Sequence, residues 1–365
     1  MPDLIDKLVR PAILNLAPYH VPDTASAIKL DAMENPHSLP DEIIKAWLSN
    51  LASAKLNLYP DPKAQALSLE LKDKMRMSDS LDLLLGNGSD ELIQMILMTI
   101  AKPGAKVLSI DPTFVMYEMI AKFVGIEYIK VGLASDFGLD EDLLLKAIAK
   151  ESPAVIFIAN PNNPTGNLFK RQAIEKVIKA APGLVVVDEA YFSFCKENFL
   201  PDLLKYPEKL LVMRTVSKLG LAGLRLGLLV GHHDWLKEFD KVRLPYNINV
   251  LTQLSGKFFL QHKEVLDKQA SKIVQNREKL CTSLKAIPGI VPYPAEANFI
   301  MFKTPRGGAG EIHTRLIEQN ILIKNLDNSA NPRLQDCLRV SMGTEHENEI
   351  FIAALESIMS TLSVV

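Results

Sequence analysis

Short, unbroken apolar runs alternate with stretches of helical periodicity along most of this chain. The runs are Leu83-Leu84-Leu85, Val107 to Ile110, Val155-Ile156-Phe157-Ile158, Leu184-Val185-Val186-Val187, Leu210-Leu211-Val212-Met213 and Leu226 to Val230. None alternates apolar with polar positions, so each reads as a strand buried on both faces. Between them lie helical patterns. Ile43, Ile44, Trp47, Leu48 and Leu51 form one stripe over Asp41 to Ala52. A second helix is expected over Ala64 to Met75, after the rigid turn Leu58-Tyr59-Pro60-Asp61-Pro62. Leu92, Ile93, Ile96, Leu97 and Ile100 recur at helical spacing after Ser89, and Lys170 to Ala181 is another helical stretch. Strands interleaved with helices imply the α/β class, a mostly parallel sheet covered by helices on both faces.

The two ends of the chain read differently. Residues 1–37, punctuated by Pro2, Pro11, Pro18, Pro22 and Pro36, look like an irregular arm laid over something else. A long helical pattern from Asn249 to Ala286, through Leu254, Phe258, Leu266, Ile273 and Leu280, leads the chain out of the large unit. Beyond Ile287, Asn298 to Phe302, Ile321-Leu322-Ile323 and Cys337 to Ser341 read as strands of a smaller α+β domain, closed by a helix over Glu349 to Leu362. The expected organisation is an arm, 1–37, contributing to the small domain and a dimer contact, a large domain, 38–260, and a small C-terminal domain, 261–365.

Composition narrows the class. The 365 residues are 48% hydrophobic and 23% charged, which suits a soluble globular chain with a sizeable core. A formal net charge of -2 leaves no nucleic-acid footprint. No stretch approaches the ~20 apolar residues of a membrane span. Asp3 and Asp6 before Lys7 and Arg10 do not fit a secretory signal. Cys195, Cys281 and Cys337 are scattered and odd in number, which points to a reducing cytoplasm. His232-His233-Asp234 reads as a surface turn, because adjacent histidines rarely chelate one ion, and no metal is expected.

Polar residues gather where the apolar runs stop. Asn163 lies in Asn160-Pro161-Asn162-Asn163-Pro164-Thr165-Gly166, Asp188 and Tyr191 in Asp188-Glu189-Ala190-Tyr191, and Lys218 in Thr215-Val216-Ser217-Lys218. Ligands of open α/β sheets sit beyond the carboxyl ends of the strands, so these groups converge on one edge. Alone, a Ser-Lys pair reads more readily as a solvated loop lysine. A desolvated lysine has a lowered pKa and can form a Schiff base with a carbonyl. Gly86-Asn87-Gly88-Ser89-Asp90-Glu91 reads as a strand end, a glycine turn, a Ser/Asp cap and a helix start. Such a start is either just a capped helix or an anion site. Asp90 and Glu91 would repel a phosphate there, so a nearby cation is required, and Arg225 is the natural supplier. Taken together, the groups match the needs of pyridoxal phosphate. Lys218 serves its aldehyde and Asp188 its ring nitrogen. Asn163 and Tyr191 serve its phenolate oxygen. Ser89 and Asp90 (through backbone amides), Ser217 and Arg225 serve its phosphate.

Asn-Pro-Asn-Asn-Pro-Thr-Gly (160–166), Asp-Glu-Ala-Tyr (188–191) and Ser-Lys with Gly-Leu-Ala-Gly-Leu-Arg-Leu-Gly (217–227) resemble the fold-type-I aminotransferases. Tyr59-Pro60-Asp61-Pro62, the Gly86 to Glu91 segment, Pro245-Tyr246-Asn247-Ile248-Asn249 and Cys337 to Thr344 narrow the likeness to the histidinol-phosphate aminotransferase family, from about Leu16 to the C-terminus. The resemblance implies a homodimer with sites at the subunit interface. Tyr59 would reach the cofactor phosphate of the other subunit, and Phe114 would stack on the pyridine ring. Arg339 would bind the substrate carboxylate or phosphate, Lys324 would add a second charge, and Tyr19 would line the substrate pocket. The implied reaction is ping-pong amino transfer between histidinol phosphate and 2-oxoglutarate in histidine biosynthesis, with Lys218, Asp188 and Tyr191 catalytic. Competing readings are an aromatic aminotransferase and a threonine-phosphate decarboxylase. A DNA-binding ligand sensor would need an N-terminal basic helical module that the chain lacks. Several positions depart from the family pattern: Phe114 stands where Tyr is common, Leu58 and Lys324 where Arg is common, and Met33 where Asn is the rule. A lysine binds phosphate as a point charge, without the bidentate fork of arginine.

Overall fold

A computed structural model describes residues 2–14, 16–18, 27–329 and 331–362. Its centre is a seven-stranded sheet in the spatial order Leu81–Asn87, Leu226–His232, Leu210–Thr215, Leu184–Asp188, Val155–Ala159, Lys106–Asp111, Glu127–Gly132. Leu226–His232 runs antiparallel to both of its neighbours. The other adjacent pairs are parallel. The three strands in the middle are buried along their whole length, as their non-alternating sequences require. Their side chains feed two cores. Leu108, Ile156, Val185 and Val212 face one layer, while Val107, Phe157, Val186 and Met213 face the layer of helices Ser89–Ile100, Met116–Val124 and His233–Asp240. Each such side chain contributes roughly 1.5–3 kcal/mol by leaving water.

The smaller sheet is antiparallel, in the order Lys324–Asn325, Cys337–Ser341, Phe299–Lys303, Val291–Pro292. The expected strand at Ile321–Leu322 stands apart from it and pairs in parallel with Ile28–Lys29 of the N-terminal segment. That segment is less irregular than its prolines suggest. Helices Pro2–Leu8 and Pro11–Leu14 each begin on a proline, whose fixed φ and missing N–H suit a first helical turn. The long helical stretch is two helices, Val250–Gln261 and Lys263–Ala286, interrupted at His262 with φ -115° and ψ 31°. The closing helix, Glu345–Ser360, starts earlier than expected because Thr344 and Glu347 form a reciprocal capping box. His232 and His233 do not form a surface turn: the first ends a strand and the second opens a helix. Among the described residues, no helix is long and apolar enough to cross a membrane.

Candidate active site

The parallel strands all deliver their carboxyl ends to one edge of the large sheet, and a cavity of about 210 Å³ lies there. Ser89, Asp90, Phe114, Asn163, Asp188, Tyr191, Ser217, Lys218 and Arg225 all line it. A larger cleft of about 450 Å³ runs beside Gln65 and Leu236, away from these residues. There Lys72 pairs with Asp82 at 2.7 Å and Arg243 with Asp240 at 2.6 Å.

Asp188 ends its strand at the cavity floor. Its Oδ2 accepts a hydrogen bond from the Tyr117 hydroxyl at 2.6 Å, and its Oδ1 accepts one from the Ala190 N–H at 3.0 Å. Burial nevertheless pushes its pKa up to about 6, against the pull of those two donors. A carboxylate held this way is ready for a cationic N–H partner. Tyr117 escaped the sequence reading. It stacks on Phe157 at 4.8 Å and meets Phe114 edge-on at 5.5 Å, so one aromatic column fixes both the carboxylate and the ring-stacking candidate.

Lys218 follows the Leu210–Thr215 strand in a tight irregular turn, Ser217–Leu221. Lys218 is half-buried in the cavity wall, and the desolvation of its amine governs its titration. That burial, reinforced by the positive charge of Arg339, lowers its pKa to about 8. Its Nζ donates to the carbonyl of Ala32 at 3.2 Å. Thr215 orients the neighbouring serine: its Oγ1 accepts the Ser217 N–H at 3.1 Å and lies 2.8 Å from the Ser217 hydroxyl.

The helix Ser89–Ile100 has Gly88 at its N-cap, with φ 87°, and no side chain caps it. This corrects the expected Ser/Asp cap, and its consequence is chemical, because the first amides stay available to an anion. Glu91 turns away to accept from the Asn247 amide at 2.9 Å. Asp90 stays beside the cavity, 3.6 Å from Arg225, with Oδ1 buried and unpartnered. A Cβ at Gly88 would come within 2.6 Å of the Arg225 guanidinium, and one at Gly227 within 2.8 Å of the Ser89 nitrogen. Both glycines are required for this close approach.

The remaining predicted residues are placed as follows. Arg339 is buried, donates to Asn163 Oδ1 at 2.5 Å and to the Asp31 carbonyl at 2.8 Å, and lies over the Phe299 ring. Lys324 is exposed and does not line the cavity. It stands directly opposite Arg339 in the antiparallel register, which puts both side chains on one face of the small sheet. Tyr59 is 81% exposed, stacks on Tyr246 at 4.5 Å and is away from this chain's own cavity. Tyr19 lies outside the described residues. Residues 32–34, where Met33 takes the place of the family's asparagine, also line the cavity.

An amine of depressed pKa, a buried carboxylate, the hydrogen-bonding side chains of Asn163 and Tyr191 and an uncapped helix start beside a guanidinium fit the needs of pyridoxal phosphate. The chain belongs to the aminotransferase class I and II family, whose sequence model matches residues 25–355. Within it, the chain is 50% identical over 355 residues to histidinol-phosphate aminotransferase 2 of Nitrosococcus oceani, covering 97% of this chain and 98% of that one. In shape it is similar to histidinol-phosphate aminotransferase from Sinorhizobium meliloti in complex with pyridoxal-5'-phosphate, with a TM-score of 0.87, 24% identity and 98% of each chain covered. L-threonine-O-3-phosphate decarboxylase from Porphyromonas gingivalis shares the fold too, with a TM-score of 0.79, 23% identity, and 92% of this chain and all of that one covered. Shape alone therefore does not separate the two reactions.

Proposed function

We propose that the protein is a pyridoxal-phosphate-dependent aminotransferase that exchanges an amino group between histidinol phosphate and 2-oxoglutarate. The observation that carries the reading is the convergence of nine predicted residues, from separate chain segments, on the one cavity that holds the Lys218 amine. The 50% identity to a histidinol-phosphate aminotransferase favours amino transfer over the decarboxylase that shares the fold.

Bound there, pyridoxal phosphate supplies an aldehyde for the amine and a ring that withdraws electrons from the substrate carbon. Asp188 keeps the proton on the ring nitrogen, and Tyr117 and the Ala190 amide keep Asp188 ionised and aimed. Asn163 and Tyr191 face the phenolate oxygen. The amides of Ser89 and Asp90, the Ser217 hydroxyl and Arg225 hold the phosphate. Phe114 covers one ring face. With a pKa near 8, Lys218 Nζ is poised to take the proton from the substrate α-carbon and would deliver it to the carbon that carries the aldehyde in the free cofactor. Arg339 grips the substrate anion, and Lys324, on the same face, adds charge for a phosphate monoester; Tyr19 belongs to the same pocket by resemblance.

A homodimer belongs to the proposal. Leu48, Leu56, Leu58, Tyr59, Leu244, Tyr246 and Leu251 are exposed apolar side chains. Tyr59 would cross that contact to the phosphate held by the second copy. A cytoplasmic setting is proposed with it, in keeping with three free cysteines. So is a division into arm, large domain and small domain at about residues 38 and 261.

The test is a half-reaction survey. The coloured enzyme is mixed with histidinol phosphate, phenylalanine, tyrosine and threonine phosphate, and loss of the visible band is followed with carbon dioxide release. Histidinol phosphate should have the highest specificity constant and release no carbon dioxide. Equal or better use of phenylalanine would make the protein an aromatic aminotransferase, and carbon dioxide from threonine phosphate a decarboxylase. Borohydride reduction and peptide mapping should place the pyridoxyl label on Lys218.

A further inference from the structure

Met33 holds a backbone conformation that side chains rarely adopt, with φ 57°. Two buried side chains pin it there. Its N–H donates to Ser341 Oγ at 2.8 Å, and its carbonyl accepts from Asn298 Nδ2 at 2.9 Å. Strained backbone persists only where its surroundings over-determine it, and it gathers at functional sites. The pinning delivers the Met33 thioether to the cavity wall, where Sδ accepts the Tyr191 hydroxyl proton at 3.2 Å. Asn163, whose Oδ1 accepts from Arg339, lines the same cavity. The Tyr191 hydroxyl proton thus ends on sulfur.

We propose that Met33 is a positioning residue for the Tyr191 hydroxyl, a deliberately weak acceptor that aims the O–H into the cavity and yields it to the cofactor's phenolate oxygen. Thioether sulfur accepts hydrogen bonds only weakly, whereas an amide oxygen is a full acceptor. A glutamine amide here, one atom longer than the family's asparagine, would hold the proton more firmly and compete with the phenolate oxygen for it. Ser341 and Arg339 share a strand, so the sulfur also ties the hydroxyl to the element that grips the substrate anion. The proposal rests on the pyridoxal phosphate reading above, and the parent enzyme's colour tests that reading separately.

The experiment compares Met33→Gln with Met33→Leu. Glutamine keeps the length of the side chain, leucine keeps most of its apolar bulk, and both carry the same backbone strain, so strain alone would move them together. In each coloured holoenzyme the pH midpoint of the visible absorbance change is measured, because it reports how well the phenolate is stabilised. The Gln variant should titrate higher than the parent by roughly 0.5 to 1 pH unit, the scale of one hydrogen bond redirected. The Leu variant, with no acceptor to compete, should titrate at or below the parent. Midpoints that coincide in all three proteins, or a Leu midpoint above that of Gln, overturn the proposal. Should the Gln chain fail to fold, the Leu variant decides against the parent alone, and a Leu midpoint clearly above the parent's overturns the proposal. A colourless parent would instead refute the cofactor reading itself.

Discussion

Replacing Lys218 with methionine removes the charge and keeps the length of the side chain. In the folded chain the amine pKa falls from 10.5 to about 8, first because it is buried and then because Arg339 is near. At ~1.36 kcal/mol per pH unit, keeping this amine costs the cofactor-free fold ~3 kcal/mol at neutral pH. The hydrogen bond to the Ala32 carbonyl returns ~1 kcal/mol of that. Lys218→Met should therefore stabilise the cofactor-free protein by ~2 kcal/mol at about pH 7. The pH dependence has a definite sign. Between about pH 8 and 10.5 the unfolded chain holds a proton that the folded chain has lost, so parent stability rises with pH across that window. The advantage of the methionine variant must shrink there and be gone above it. Urea unfolding of both cofactor-stripped proteins at about pH 7 and about pH 10 measures this. A variant no more stable than the parent at the lower pH, or an advantage unchanged at the higher, would refute the claim that the amine is desolvated.

Three further outcomes are expected. Tyr117→Phe keeps the stack on Phe157 but removes the 2.6 Å donor to Asp188; cofactor affinity should fall about tenfold, as read by equilibrium dialysis, for a charge-assisted bond worth ~1.5 kcal/mol. Asp188→Asn removes the anion that holds the ring proton and should lower kcat by about a hundredfold or more, with near-parental turnover refuting the role. Arg339→Ala should weaken both half-reactions, whereas Lys324→Ala should raise KM mainly for the phosphorylated donor; equal losses for phosphorylated and unphosphorylated donors would remove Lys324 from the phosphate site.

The parts legible in the sequence were those whose physics is local. Val155 to Ile158 and Leu184 to Val187 announce strands because burial on both faces leaves no polar position in them. Asn163, Asp188 and Lys218 are visible because they directly follow such runs. The edge strand Glu127–Gly132 is not, since Glu127 and Lys130 face solvent and break the apolar run. The break at His262 is hidden because apolar spacing continues through it. Tyr117 had a signal, its place three residues beyond Phe114, but a tyrosine in an apolar helix reads as core. The contributions of Asp31 and Ala32 could not have been read at all. They act through backbone carbonyls, which every residue carries, and only the folded path brings them to Arg339 and Lys218.

The turn that carries Lys218 and Arg225 is closed by paired strands, with Thr215 facing Gly227 across the antiparallel register. Both cations sit near the anchored ends, Lys218 just after the first strand and Arg225 against Gly88. Between them Gly223 is exposed, and a Cβ there would meet no atom within 4 Å. Its neighbours are held, Ala222 in the cavity wall and Leu224 by packing on the core and by its carbonyl, which accepts from Thr252 at 3.0 Å. An inserted residue would therefore pull on Leu224 and on Arg225 behind it, whereas a side chain added at Gly223 has room. Gly223→Cys is thus a place to attach a small probe beside a working site rather than within it.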